Sequence, residues 1–575
     1  MEVEGAAEGY VEAFSRCGVD YVFCSPGSEF IPIWEYLTKY NIQGRKPRYV
    51  NARHEGLALT LAKGYTMATG RPQVVLTHVI SGLLHGAMEL KALYTDRIPL
   101  MLIVGADWTH DNEVHGGTPG PHYLSFTEVG GQQRLVQPYV KWTDTPATNL
   151  NILDKMIRAF DIASSEVKGP VLFVLSRELM FEKTERMRMP SRTSTPTSIQ
   201  ADPRALDKLA GLLLEAENPI LYTRYLGRNP GAVPHLIELA ETLSIPVFET
   251  PGYMNFPTDH PLHMGYSVKP YMDEADLVMV VDSSAWPPWY PPSSILDSSP
   301  AKIVFMDADP LQLKYPVYGY PSDLNITADT SLAVPALVGI LKQKLTEDRP
   351  DIIAERYYTW KAQHESIREA WKKEALDAEE KCPIDPRWLC YKINEVIDEN
   401  FITVNETLTH GTVVHMHVEK NRVRTGTHFL STGPVAHTGL GQGLGVALGA
   451  KLAEPEKTVI ALEGDGSFNY NPVPACFGLS QEYSLPFLTV IFNNQGYAAM
   501  KGHGRYYPEG WSVKHDRYYG VGTKPGPRYE KLAEAFDGYG ETVEDPSDVK
   551  PALLRGLSHV KNGKLALLDV ILEEC

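Results

Sequence analysis

A chain of 575 residues, 43% hydrophobic and 22% charged, has the balance of an ordinary globular protein; at ~150 residues per domain it suggests about three domains, each able to bury a sizeable core. Its net charge of −17 excludes sequence-independent nucleic-acid binding, which needs a basic face, but leaves room for a locally positive small-molecule pocket. No stretch approaches the ~20 apolar residues of a membrane span, and Met1-Glu2-Val3-Glu4 lacks the apolar run of a signal peptide. Cys17, Cys24, Cys382, Cys390, Cys476 and Cys575 form no C-x-x-C pair, so free thiols in a reducing, cytoplasmic compartment are expected.

In chain order, Val3 to Cys17 has the spacing of an amphipathic helix. Tyr21 to Cys24 is a short apolar strand ending at Ser25-Pro26-Gly27-Ser28. Leu57 to Ala68 is helical, Val74 to Thr77 a strand, Leu83 to Tyr94 helical, and Leu100 to Val104 a buried strand. This alternation predicts a parallel α/β sheet. Residues 187–203, polar and rich in Pro, Ser and Thr, read as a linker. A second α/β block has strands at Ile220 to Tyr222, Val247 to Glu249, Leu277 to Val281 and Ile303 to Met306. A charged segment from about Glu347 to Cys382 contains a helix, and a third α/β block runs from about Pro386 to the end. The expected domains are 1–186, 200–345 and 375–575.

The third block carries the sharpest pattern. The strand-like run Thr458 to Leu462 leads into Glu463-Gly464-Asp465-Gly466-Ser467, and the run Phe487 to Phe492 leads into Asn493-Asn494-Gln495-Gly496-Tyr497. The 26 residues 467–492 between the two suit a helical crossover that returns both strand ends to one sheet edge. A diphosphate bridged by Mg²⁺ needs a few hard oxygens in octahedral geometry. Asp465 offers a carboxylate, Asn494 an amide oxygen and Gly496 a backbone carbonyl. Glycines at 464, 466 and 496 permit close approach, and the helix expected after Ser467 turns its N-terminus to an anion.

Gly464-Asp465-Gly466…Asn493-Asn494 resembles the GDG…NN signature of thiamine diphosphate-dependent enzymes, the group of pyruvate decarboxylases, acetolactate synthases and benzoylformate decarboxylases. The three blocks follow that family's domain order. The resemblance implies three parallel-sheet α/β domains: pyrimidine-binding, central and diphosphate-binding. It also implies Mg²⁺ on Asp465, Asn494 and the Gly496 carbonyl, with Gly464, Gly466, Ser467 and Tyr497 around the diphosphate. It gives Glu55, in Arg53-His54-Glu55, the role of holding a proton on the aminopyrimidine ring, which promotes the imino tautomer that deprotonates the thiazolium C2. Such a carboxyl needs a shielded site and a raised proton affinity. By its own position Glu55 also reads as a first-turn glutamate favoured by the helix dipole. The family places this glutamate and the diphosphate site on different subunits, so a homodimer is the implied minimum, and a homotetramer the further expectation.

Within His437-Thr438-Gly439-Leu440-Gly441-Gln442-Gly443-Leu444-Gly445 a nicotinamide fingerprint fails, because no clear strand leads in and the glycines follow G-x-G-x-G. The resemblance instead makes Leu440 the wedge under the bent cofactor, with the Thr438 carbonyl as acceptor. Leu408 and Thr409, after another strand, align with diphosphate contacts.

Pro26, Gly27 and Ser28, together with His78, resemble the substrate loop and histidine of benzoylformate decarboxylase. Ser28 would bind a carboxylate and His78 relay a proton; a lone histidine is otherwise an ordinary satisfied side chain. That decarboxylase has a second histidine in its central domain, whereas Ser284 to Pro292 has none here, and Met500 stands near where pyruvate decarboxylases carry a glutamate. His410, His415, His417 and His503 have no assigned role; His437 is a candidate for proton transfer. FAD, found in some acetolactate synthases, has no short motif here that supports it. The implied reaction is decarboxylation of a 2-oxo acid, followed by protonation or carboligation. The alternatives are an acetolactate synthase-type carboligase and a catalytically silent cofactor-binding homologue.

Overall fold

The computed structural model describes residues 1–106, 131–191, 195–250, 252–283, 301–314, 322–345, 350–419, 429–431 and 439–574. It contains three parallel sheets. The first has β1 (Tyr21–Cys24), β2 (Arg48–Asn51), β3 (Gln73–Thr77), β4 (Leu100–Ala106), β5 (Thr143–Asp144) and β6 (Pro170–Ser176), in the order β2-β1-β3-β4-β6-β5. The second has β7 (Pro219–Thr223), β8 (Val247–Glu249), β9 (Leu277–Val281), β10 (Lys302–Asp307) and β11 (Leu324–Thr327), ordered β11-β10-β9-β7-β8. The third has β12 (Phe401–Glu406), β13 (Phe429–Ser431), β14 (Thr458–Gly464), β15 (Leu488–Asn493), β16 (Tyr539–Val543) and β17 (Ala566–Ile571), ordered β13-β12-β14-β15-β17-β16.

The first and third sheets thus share one topology. In each, the first strand's connection leaves toward one edge and the third strand's toward the other. The crevice beyond the C-terminal ends of two such neighbours is where open α/β sheets bind ligands. It falls between β1 and β3 in the first sheet and between β12 and β14 in the third. Strands buried on both faces, such as Leu100–Ala106 and Pro170–Ser176, read as continuous apolar runs, as parallel sheets require.

By packing, the chain forms two compact units: Met1–Thr197 with Val435–Pro455 and Asn469–Phe487, and Ser198–Pro434 with Glu456–Phe468 and Leu488–Cys575. In the first unit, the helix Glu55–Thr69 packs on the helix Gly443–Ala453 through small residues. A Cβ at Gly64 would collide with the Val446 carbonyl, and one at Gly449 with the Leu61 carbonyl. Buried Lys63 joins the two helices, its Nζ 2.7 Å from Asp96 Oδ2 and 2.8 Å from Gln442 Oε1. Gly64→Val should therefore destabilise the protein by about 3 kcal/mol or more, the upper end of ordinary overpacking, measurable by urea denaturation.

Two expectations change. Leu83 to Tyr94 is two helices, Val79–His85 and Ala87–Thr95, broken at Gly86. The turn after β14 starts at Asp465 itself, as the one-turn helix Asp465–Phe468, and the long crossover helix starts only at Val473, because Pro472 and Pro474 favour a start there. Among the described residues no helix is long and apolar enough to cross a membrane, and Cys17, Cys24, Cys382, Cys390 and Cys476 are free thiols.

Candidate active site

Beside the switch point of the third sheet, β14 delivers Asp465 and the next strand, β15, delivers Asn493 and Asn494. The register pairs Gly464 with Phe492, so the two loops leave the sheet side by side. The Asn494 amide has a terminal atom 3.0 Å from Asp465 Oδ1 and 2.9 Å from the Gly496 carbonyl oxygen. With nitrogen at that position the amide donates to both. With the amide turned over, three oxygens converge, an arrangement that needs a cation. Which atom faces inward is set by what the site holds. A spacing of ~3 Å is the edge of an octahedron with metal–oxygen bonds of ~2.1 Å, the geometry Mg²⁺ demands. The residues therefore fit the metal.

The surrounding contacts hold this arrangement. Thr523 Oγ1 donates to Asp465 Oδ2 at 3.1 Å. Burial pushes the Asp465 carboxyl up to about 6, against hydrogen bonds from Thr523 and from backbone amides. Ser467 Oγ bonds the Glu406 carbonyl at 2.5 Å, tying the β14 turn to the end of β12. The Tyr497 ring covers Gly466, where a Cβ would sit 2.8 Å from it. Asn493 serves the scaffold: its Nδ2 donates to Asp569 at 2.9 Å and its Oδ1 accepts from the Gln495 amide at 3.1 Å. Leu408 and Thr409 lie in the turn Leu408–His410 after β12, with Leu408 held at φ 47°, a strained value for a leucine. His410 is pushed down to about 4 by burial, so it stands neutral at pH 7, as does His417 for the same reason.

In the first unit, the switch point between β1 and β3 gathers a second group. His78, directly after β3, has Nδ1 2.7 Å from Glu29 Oε2, and Glu29 Oε1 accepts from the Val79 amide at 3.3 Å. Glu29 is buried. Gly27 makes room for the pair, since a Cβ there would lie 2.5 Å from both Glu29 Oε2 and His78 Nδ1. Val79 sits at φ 30°, strain in a β-branched residue that locates rather than relaxes the loop. Ser28 is exposed and opens the short turn Ser28–Phe30 beside Pro26.

Glu55 begins its helix, capped by His54, whose Nδ1 accepts from the Gly56 amide at 3.1 Å. Its carboxyl differs from the raised proton affinity expected for it. Burial alone raises it, but hydrogen bonds from His85, its own backbone amide and Ser25 outweigh burial and hold it below the usual carboxylate value. Leu440 lies between Gly439 (φ 93°) and Gly441 (φ 83°), both in the left-handed region that glycine tolerates. Thr438, His437 and Ser284 to Pro292 lie outside the described residues.

Comparison with known proteins decides the family. Residues 5–126, 206–337 and 410–570 match, in turn, the N-terminal TPP binding domain, the central domain and the C-terminal TPP binding domain of the thiamine pyrophosphate enzymes. The chain belongs to this family. The acetolactate synthase isozyme 3 large subunit of Escherichia coli is 25% identical over 601 residues, covering 100% of this chain and 96% of that protein. The benzoylformate decarboxylase of Pseudomonas aeruginosa is 26% identical over 501 residues, covering 85% and 86%. Among solved structures, benzoylformate decarboxylase from Polynucleobacter necessarius superposes with a TM-score of 0.77 at 20% identity, covering 99% of each chain. The protein is thus a thiamine pyrophosphate enzyme of the acetolactate synthase and benzoylformate decarboxylase group, and its TPP binding domains indicate thiamine diphosphate.

In this thiamine pyrophosphate enzyme the structure brings Asp465, Asn494, Gly496, Gly466, Ser467 and Tyr497 into one cluster. It brings Gly27, Glu29 and His78 into another, and Glu55, Ser25 and His85 into a third. Sequence reasoning missed Glu29, Thr523 and His85. Glu29, two residues past Gly27, was open to notice as a carboxylate next to a predicted histidine loop. Thr523 and His85 carry no local pattern, and only the fold brings them in.

Proposed function

We propose that this enzyme is a Mg²⁺-dependent 2-oxo acid decarboxylase or carboligase that works in the cytoplasm, as free thiols suit, and as a homodimer at least. The observation that carries the reading is the Asn494 amide at octahedral-edge distance from both Asp465 Oδ1 and the Gly496 carbonyl oxygen, at the C-terminal ends of β14 and β15. Thiamine diphosphate, when bound, supplies a nucleophilic carbon and an electron sink for the departing carboxylate's electrons.

The chain's own residues do the rest. Asp465, Asn494 and the Gly496 carbonyl would hold Mg²⁺, which would supply positive charge against the diphosphate. Glu55 holds a proton against the pyrimidine ring nitrogen. Ser28 donates its hydroxyl to the substrate carboxylate at the mouth of the first-sheet crevice. His78, oriented by Glu29 through Nδ1, moves a proton to or from the reacting carbon with its other nitrogen. The intact set of Glu55, Asp465 and Asn494 argues against a catalytically silent homologue.

The test is a panel of 2-oxo acids given to the Mg²⁺- and cofactor-loaded enzyme, with CO₂ and product detection. Release of CO₂ with an aldehyde marks protonation, and an acyloin or acetohydroxy acid marks carboligation of the acetolactate synthase type. No CO₂ from any 2-oxo acid contradicts the reading. Within it, Glu29→Gln should lower kcat by roughly 10–100-fold, as loss of an orienting partner does, with KM little changed. An unaltered kcat would remove Glu29 from the site.

A further inference from the structure

His85 ends the helix Val79–His85, and Gly86 breaks the chain there so that the imidazole turns toward the start of the helix Glu55–Thr69. His85 Nδ1 lies 2.7 Å from Glu55 Oε2. The imidazole is 56% exposed and the Glu55 side chain 16%, so a solvent-side donor reaches a largely covered carboxylate. The carboxylate's stem is fixed from the same segment: a Cβ at Gly82 would touch Glu55 Cγ at 3.4 Å, and one at Gly86 would lie 3.6 Å from Glu55 Cβ. Both are ordinary van der Waals distances; the side chain a Gly86 Cβ would displace is Leu59, whose Cδ1 would lie 2.6 Å away.

The other groups facing Glu55 do not take this part. The His54 ring is 4.2 Å from that of His85, but its Nδ1 is committed to the Gly56 amide. It is held below the usual histidine value by burial and then by the His85 charge. Ser25 donates a neutral hydrogen bond, and the Cys24 thiol, at the end of β1, is pushed up to about 12 by burial. Glu89, on the following helix, places Oε1 2.8 Å from where a Gly56 Cβ would be and has the same sign as Glu55. Among these groups His85 is the donor that can carry charge against the carboxylate.

We propose that His85 is the positioning residue for Glu55: its Nδ1–H grips one carboxylate oxygen, leaves the other for the pyrimidine ring nitrogen of the cofactor, and biases the proton shared there toward the nitrogen. This rests on the cofactor reading above. The step is a single proton transfer: the carboxyl O–H bond breaks, the ring N–H bond forms, and the carboxylate left behind faces the imidazole.

The test uses the full chain, stripped of cofactor and labelled with ¹³C-glutamate. The Glu55 carboxyl signal is identified by its loss in Glu55→Gln. His85→Gln keeps a donor and cannot be a cation. It should move the Glu55 titration midpoint upward while leaving the thermal midpoint near wild type, as substitution of an exposed side chain usually does. In the loaded enzyme the same variant should slow exchange of the C2 proton roughly 10–100-fold, with cofactor affinity little changed. An unmoved Glu55 midpoint overturns the proposal. His85→Asn, under the same readout, serves if His85→Gln does not fold. Failure of the stripped wild-type protein to bind thiamine diphosphate would refute the cofactor reading, while the carboxyl titration would still judge His85 by itself.

Discussion

Asp465→Ala will lose metal-dependent retention of thiamine diphosphate. Asp465 contributes the only charged ligand in the trio, and Mg²⁺ bound through few protein oxygens depends on that charge. The expected loss of affinity at saturating Mg²⁺ is at least about 100-fold, beyond the 10–100-fold typical of losing a partner that merely orients a ligand. Calorimetric titration measures it, and full retention would refute the metal assignment. The same residue carries a stability cost in the metal-free protein. Burial raises its carboxyl from 3.8 to about 6, so the folded state favours the protonated form. Below the unfolded value there is no cost; the cost grows as pH rises toward 6 and is complete above it. Asp465→Asn should therefore make the metal-free protein more stable at pH 7, by up to about 3 kcal/mol, with the gain shrinking toward pH 4. A variant no more stable than wild type at pH 7 would contradict the burial argument.

Glu55→Gln has the second large effect. Glutamine keeps the shape and an acceptor oxygen, so cofactor affinity should stay within about threefold of wild type. It has no acidic proton to place on the ring nitrogen, so exchange of the C2 proton for deuterium, followed by NMR, should slow by about 10²–10⁴-fold, the span of general acid–base contributions. Exchange at the wild-type rate would remove Glu55 from that role.

How far these sites were legible depends on where their information lies along the chain. Asp465 and Asn494 each follow a strand that is apolar on both faces, and a crossover of readable length separates them, so local pattern and spacing sufficed. The α/β alternation was likewise plain, because Leu100–Ala106 or Leu277–Val281 look like nothing but buried strands. The short strand Phe429–Ser431 went unread, three residues being too few for periodicity to speak. The break at Gly86 was missed because Leu83 to Tyr94 has helical spacing throughout, and a lone glycine does not announce a second helix. The common topology of the first and third sheets could not be seen at all, since strand order is a property of pairing and not of any one strand. Partners such as Thr523 and Asp465, 58 residues apart, or His78 and Glu29, 49 apart, are created by that pairing. Glu55 and His85, 30 residues apart, meet in the same way, and the side-chain hydrogen bonds that help outweigh burial at Glu55 come from such pairing, which no local pattern shows.

The most direct test of the account is titration of thiamine diphosphate into the stripped wild-type protein, with and without Mg²⁺, in one calorimeter cell. The expected result is saturable binding with Mg²⁺ that is lost when the metal is chelated. Binding indifferent to the metal would contradict the Asp465–Asn494–Gly496 site, and no binding in either condition would contradict the account as a whole.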